Sequence, residues 1–180
     1  MTATASTTAA TWRHLATRFF GSLRPGGPPP SDEAWATAAL LPGEAALWRR
    51  MSGPDRRHAV GVARRTEAAL PPPVARPVLA AALLHDVGKI ASGLGPVRRA
   101  LATLAGMAVS HDTASGWQSR SGPLGRAGRY LCHDAIGADL LAAAGSDPLT
   151  VAWAREHHLP EDRWNVPAPV GAALKLADDD

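Results

Sequence analysis

A chain of 180 residues with 46% hydrophobic side chains can bury one good core, but it is too short for two ordinary domains. Its net charge of +3 is carried by arginines scattered in runs no longer than a pair, so nucleic-acid binding is not implied. Cys132 is the only cysteine, which excludes an internal disulfide and a cysteine-built zinc cluster.

The first 31 residues contain no acid and set Arg13, Arg18 and Arg24 beside Phe19 and Phe20. A surface-associating or targeting segment is one reading of that pattern. The Thr- and Ala-rich start and the run Pro25 to Pro30 instead favour a disordered tail and stiff linker over 1–30, leaving one domain over 31–180.

From Ser31 onward the chain reads as short helices separated by Pro and Gly, without alternating Val, Ile and Thr runs, so an all-α bundle is expected. Ser31 and the acids after it open a first helix, which Pro42 and Gly43 break before a second over 44–51. A third runs from Pro54 to about Leu70, where three prolines forbid continuation. A fourth spans roughly Pro77 to Asp86 and ends near Gly88. An apolar helix around Val97 to Val109 follows, then a polar Gly and Ser stretch from Asp112 to Gly125 that reads as a loop. The remaining helices fall at about Arg126 to Ala144, Pro148 to His158, and Pro169 to Asp178. No apolar run reaches the roughly 18 residues that span a bilayer. The longest, Ala100 to Val109, is too short, and a cytoplasmic protein is expected.

Five of these helices bring His or Asp to an otherwise apolar face. His58 shares a face with Val62, Thr66 and Ala69, and His85 with Asp86 follows the apolar run through Leu84. His133 begins the stripe of Ile136, Gly137, Leu140 and Leu141. His157 and His158 end the next helix, and Asp178 ends a stripe of Val170, Leu174 and Ala177. Burying so many titratable groups without a metal or partner is costly. Imidazole with carboxylate suits Mn, Fe, Co, Ni or Zn better than Mg or Ca. His111 sits in a loop-like composition and His14 in the tail, so neither is expected to ligate. Cys132 reads as a small buried side chain.

The run Ala81-Ala82-Leu83-Leu84-His85-Asp86-Val87-Gly88-Lys89-Ile90 resembles the signature of HD-domain phosphohydrolases. In that family a His, a His-Asp doublet and a distant Asp hold the metal. His58, His85, Asp86 and Asp178 match those four in order. His133 and the doublet His157-His158 resemble the extra ligands of the HDIG and HD-GYP-like branches, which hold two metals bridged by the residue matching Asp86. Over residues 45 to 180 the resemblance implies one or two divalent transition ions and a water activated for in-line attack on phosphorus. Asp86 and Lys89 are then the catalytic candidates, with Lys89 turned by Gly88 toward a substrate phosphate. Pro54 stands where a carboxylate would support a third ion, so at most two are expected. No Gly-Tyr-Pro follows the second doublet, where Arg163 and Trp164 stand instead as a candidate phosphate clamp and stacking ring, beside the blander roles of exposed arginine and core tryptophan.

The expected substrate is a small phosphate ester, with nucleotides among the candidates. Two other readings stay open: a non-catalytic metal- or nucleotide-binding regulatory module, and a di-iron oxygenase. Asp178, close to the end of the sequence, is expected to be loosely held. Neither composition nor motif indicates an oligomeric state.

Overall fold

A computed structural model describes residues 26–179; residues 1–25 of the tail and linker expected over 1–30, His14 included, lie outside them, as does the side chain of His111. The described residues are all-α, and no strand occurs among them. In chain order they form α1 (Pro30–Ala38), α2 (Pro42–Arg50), α3 (Gly53–Ala69), α4 (Arg76–Leu84), a 3₁₀ turn (Val87–Ala91), α5 (Pro96–Gly106), α6 (His111–Trp117), α7 (Gly122–Leu131), α8 (His133–Ala143), α9 (Pro148–Glu156), a second 3₁₀ turn (Glu161–Arg163) and α10 (Ala168–Asp179).

Proline punctuates this fold mainly by starting helices. Pro30, Pro42, Pro54, Pro77, Pro96, Pro123 and Pro148 each occupy one of the first two positions of a helix. The missing N–H costs nothing there, because no intrahelical acceptor precedes it. Pro42 therefore begins α2 rather than merely ending α1. Glu44, fully buried, accepts from the Leu41 amide at 2.7 Å and pairs with Arg76 at 3.0 Å, tying α2 to α4. Ser52 caps α3 by accepting from the Asp55 amide at 3.3 Å.

Helix α4 is the axis of the bundle. Its residues Val78 and Ala80 through Leu84 are all buried, as a helix apolar on every side must be. Helices α2, α3 and α9 pack around it, α8 lies against α9, and α10 lies along α3. Trp48, Val62, Leu141, Trp153 and Leu174 fill the core between them. The end of α4, where His85 and Asp86 follow, thus lies deep in the bundle. No single helix among the described residues is long and apolar enough to cross a membrane.

Helices α5 to α7 form an excursion beside this core, and here the structure departs from the expected elements. The stretch over 112–125, read as a loop, is helix α6 and the start of α7. Its glycines are packing residues: a Cβ on Gly128 would lie 2.7 Å from the Trp117 Cβ, and one on Gly125 would lie 1.7 Å from the Arg120 carbonyl oxygen. The helix expected over 126–144 is broken at Cys132, whose φ of −111° and ψ of 29° leave the helical range. Arg99 anchors the excursion by reaching both carboxylate oxygens of Asp55 at 2.7 and 2.8 Å. Arg129 does the same from α7, donating to the carbonyls of Ala91 and Gln118, each at 3.0 Å.

The end of the expected linker is also packed. Arg57 donates to the Gly26 carbonyl at 2.6 Å, and a Cβ on Gly53 would come within 2.7 Å of the Gly26 backbone.

Candidate metal centre

Three histidines of the site share one local design. His85 follows the end of α4, His133 follows the break after α7, and His157 follows the end of α9. The last four carbonyls of a helix have no intrahelical amide to accept from. Each ring uses one of them: Nδ1 of His85 donates to Ala82 at 2.9 Å, that of His133 to Tyr130 at 2.7 Å, and that of His157 to Ala154 at 3.0 Å. Holding the proton on Nδ1 leaves the Nε2 lone pair as the free end of each ring, the tautomer that a metal-binding imidazole needs.

Those Nε2 atoms converge on Asp86. Its Oδ2 lies 3.5 Å from His85 Nε2, whereas its Oδ1 lies 3.2 Å from His133 Nε2 and 3.9 Å from His157 Nε2. One carboxylate therefore faces two groups of nitrogen donors with different oxygens. On the first side, Asp178 Oδ1 stands 3.0 Å from His58 Nε2 and 3.5 Å from His85 Nε2. On the second, His158 Nε2 stands 3.3 Å from His133 Nε2. All seven expected ligands are thus brought together. The ligand atoms of His58, His85 and Asp86 lie within 4.8 Å of one another, as do those of His133, His157 and His158, and either group could hold a metal ion.

The polar bookkeeping of the site fits a cation. Nε2 of His85 and Nε2 of His157 are buried without any hydrogen-bond partner. A buried donor or acceptor left unpaired costs about 1–3 kcal/mol, and two such atoms aimed at one carboxylate call for a positive charge between them. In its absence protonation must supply that charge. Burial alone would lower the pKa of His85, but Asp86 and Asp178 outweigh it and raise the value to about 10. Burial, then the neighbouring His158 and His85 rings, drives His157 well below its ordinary value. His158 reaches solvent at its outer edge, yet partial burial and the His133 ring pull it down to about 4. Both members of the doublet are therefore neutral at neutral pH, ready to donate a lone pair. Asp86 is ionised: burial opposes this, but Lys89 and His85 hold its carboxyl well below the usual range.

Lys89 pairs directly with Asp86 Oδ2. Burial would lower its pKa, but Asp86, with Tyr130 and Asp55 nearby, holds it above the ordinary lysine value. Gly88 has a different part from the one expected. It does not release Lys89 from a helix end, since it lies inside the 3₁₀ turn, where a Cβ would sit 1.9 Å from the His133 carbonyl oxygen and 2.6 Å from the Gly137 amide. This contact of backbone on backbone seats Asp86 against His133.

Asp178 is not loosely held. It is buried, and Arg65 of α3 grips the preceding carbonyl, that of Ala177, with two hydrogen bonds of 2.9 and 2.7 Å. Trp164 belongs to the core: its indole donates to Leu159 at 3.0 Å, its ring meets Trp153 edge to face at 5.4 Å, and Gly171 makes room for it. Arg163 is exposed, and Cys132 is buried as expected.

Two supporting residues had no visible sequence signal. Glu156, buried just before the doublet, accepts from the Asn165 amide at 2.7 Å and from its side chain at 2.6 Å, which fixes the segment after His158. Tyr130 stacks on His133 at 5.8 Å between centroids. No protein-family model, curated protein or solved structure is found to match the chain.

Proposed function

We propose that the chain is a metal-dependent phosphohydrolase of the HD-domain type, holding two divalent transition ions and cleaving a small phosphate ester, with nucleotides in the substrate class. The observation that carries this reading is the convergence of imidazole nitrogens, two of them buried without a hydrogen-bond partner, on a carboxylate that offers one oxygen to each donor group. His58, His85 and Asp178 would hold one ion, His133, His157 and His158 the other, and Asp86 would serve both. Mixed nitrogen and oxygen donors favour Mn, Fe, Co, Ni or Zn. Such ions, when bound, polarise phosphoryl oxygens and make water acidic enough to attack phosphorus at neutral pH.

The rest is the work of the chain. The backbone carbonyls of Ala82, Tyr130 and Ala154 hold a proton on Nδ1 of three imidazoles, so Nε2 is the end of each ring that is left for an ion. Lys89 remains protonated and keeps a partly solvent-facing edge, so it supplies a fixed positive charge for a substrate phosphoryl group. His58 and His158 are the more open of the donors and mark the side from which substrate enters. The buried α4 and the inward face of α9, with Trp153 and Ala154, exclude water from the opposite side.

Elemental analysis of protein purified without added metal, compared with His85→Ala/Asp86→Ala, tests the centre. Near two equivalents in the wild type and none in the variant are expected, together with hydrolysis of p-nitrophenyl phosphate or bis(p-nitrophenyl) phosphate that the variant loses. A wild type that binds no ion even after reconstitution would sink the metal centre. Metal without hydrolysis of any phosphate ester would leave a binding module in its place.

A further inference from the structure

Helix α5 is built inside out. The residues it turns toward the rest of the protein are Arg99, Ala102 and Gly106, and Gly106 is small because a Cβ there would lie 2.5 Å from Leu131. Its large apolar residues face the solvent: Val97 is 57% exposed, Leu101 61%, Leu104 55%, and Met107 just past its end 76%. Their spacing of four, three and three residues places them in one stripe. A surface helix of a soluble domain normally turns that stripe inward.

Charge is segregated in the same place. Residues 93–131 contain Arg98, Arg99, Arg120, Arg126 and Arg129 against one acid, Asp112. Arg99 and Arg129 are spent on anchoring the excursion, while Arg98, Arg120 and Arg126 are exposed. Leu124, 44% exposed on α7, adds to the apolar surface. Residues 1–25 carry Arg13, Arg18 and Arg24 and no acid, so outside these two stretches the chain is net acidic.

We propose that the outer face of α5, in a segment whose exposed arginines outnumber its acids, is a docking surface for an anionic lipid bilayer. An apolar stripe edged by basic residues is the pattern of a helix lying in the interfacial plane, with apolar side chains among the acyl chains and cations at the headgroups. A second copy of the chain fits less well. One helix of 11 residues is about 16 Å long and about 10 Å wide and so offers roughly 160 Å², well short of the ~800 Å² per partner that stable dimers bury, and two such faces would bring like charges together.

Co-sedimentation of the full-length chain with vesicles tests this. Binding to phosphatidylcholine vesicles containing 30 mol% phosphatidylglycerol is expected, with at least about tenfold less on pure phosphatidylcholine, since basic residues near an anionic surface strengthen binding. Leu101→Ser/Leu104→Ser should abolish binding, and Arg98→Ser/Arg126→Ser should reduce it at least about tenfold, with the helical circular dichroism of both variants unchanged. Equal binding by the wild type and both variants would overturn the proposal, as would no binding to anionic vesicles. So would concentration-dependent dimerisation that Leu101→Ser/Leu104→Ser removes, since the occupant would then be a second copy.

Discussion

The bundle core and the α5–α7 excursion solve the packing problem in opposite ways. In the core the large apolar side chains, Trp48, Leu83, Leu84, Leu141 and Trp153, point inward, and helix ends deliver polar groups to the centre. In the excursion Gly106, Gly125, Gly128 and Ala102 point inward, and the leucines of α5 point out. Burial of big side chains holds the first region together; backbone proximity and two arginine anchors, Arg99 and Arg129, hold the second. The difference teaches that equal helix content does not mean equal stability.

The largest contrast concerns the metal. His85→Ala/Asp86→Ala is expected to abolish metal uptake, read by elemental analysis, whereas Arg99→Met should leave the stoichiometry intact. Loss of metal from Arg99→Met would mean that the two regions are not separable. Next comes the core itself. Trp153→Ala should cost about 3–5 kcal/mol in denaturant unfolding, while Leu104→Ser should stay within about 0.5 kcal/mol of the wild type. A large loss from Leu104→Ser would show that its face is covered in the folded monomer.

A pH scan of chelator-treated protein sharpens the account of the centre. His85 has a folded pKa of about 10, above its ordinary 6.5, so its stabilising contribution is full below 6.5 and is lost as pH rises toward 10. His158 has a folded pKa of about 4, below 6.5, so the unfolded chain takes the proton first and stability falls as pH drops from 6.5 toward 4. The unfolding midpoint of the stripped protein should therefore peak near pH 6.5. In metal-loaded protein the decline above that pH should be smaller. A stripped protein whose midpoint is flat from pH 5 to 9 would contradict the charge balance described for His85 and Asp86. The smallest effect is local: Asp55→Asn should raise amide exchange over 96–109 and at the start of α3 without changing that of α4, because the carboxylate that holds Arg99 also accepts from the Ser52 hydroxyl.

Much of the centre was legible in the sequence because each ligand stands at a stripe end, where apolar periodicity stops and a polar residue must follow. His85, His133, His157 and Asp178 all have that place. The excursion was less legible because glycine has two meanings. Gly122, with φ of 70°, is the turn glycine that a loop reading expects, but Gly125 and Gly128 serve close helix packing, and composition does not distinguish them. The break at Cys132 was hidden for a related reason: no proline or glycine stands between Tyr130 and Ile136 to mark it, and it coincides with the contact of Gly88 with the start of α8 and with the His133 ring taking the Tyr130 carbonyl. Support by Glu156 and Arg65 was invisible because it depends on partners 9 and 112 residues away.

The pairing of Nδ1 with a terminal carbonyl gives His85, His133 and His157 two employments, one as donors and one as helix terminators. If the proposed hydrolysis were given up in a lineage, the pressure on Lys89 and His158 would go first, since neither ring nor ammonium ends a helix in this way. The other three would still be retained for folding. Among descendants of such a chain, persistence of these three imidazoles is therefore poor testimony of a working enzyme, and the fate of Lys89 and His158 is the better witness.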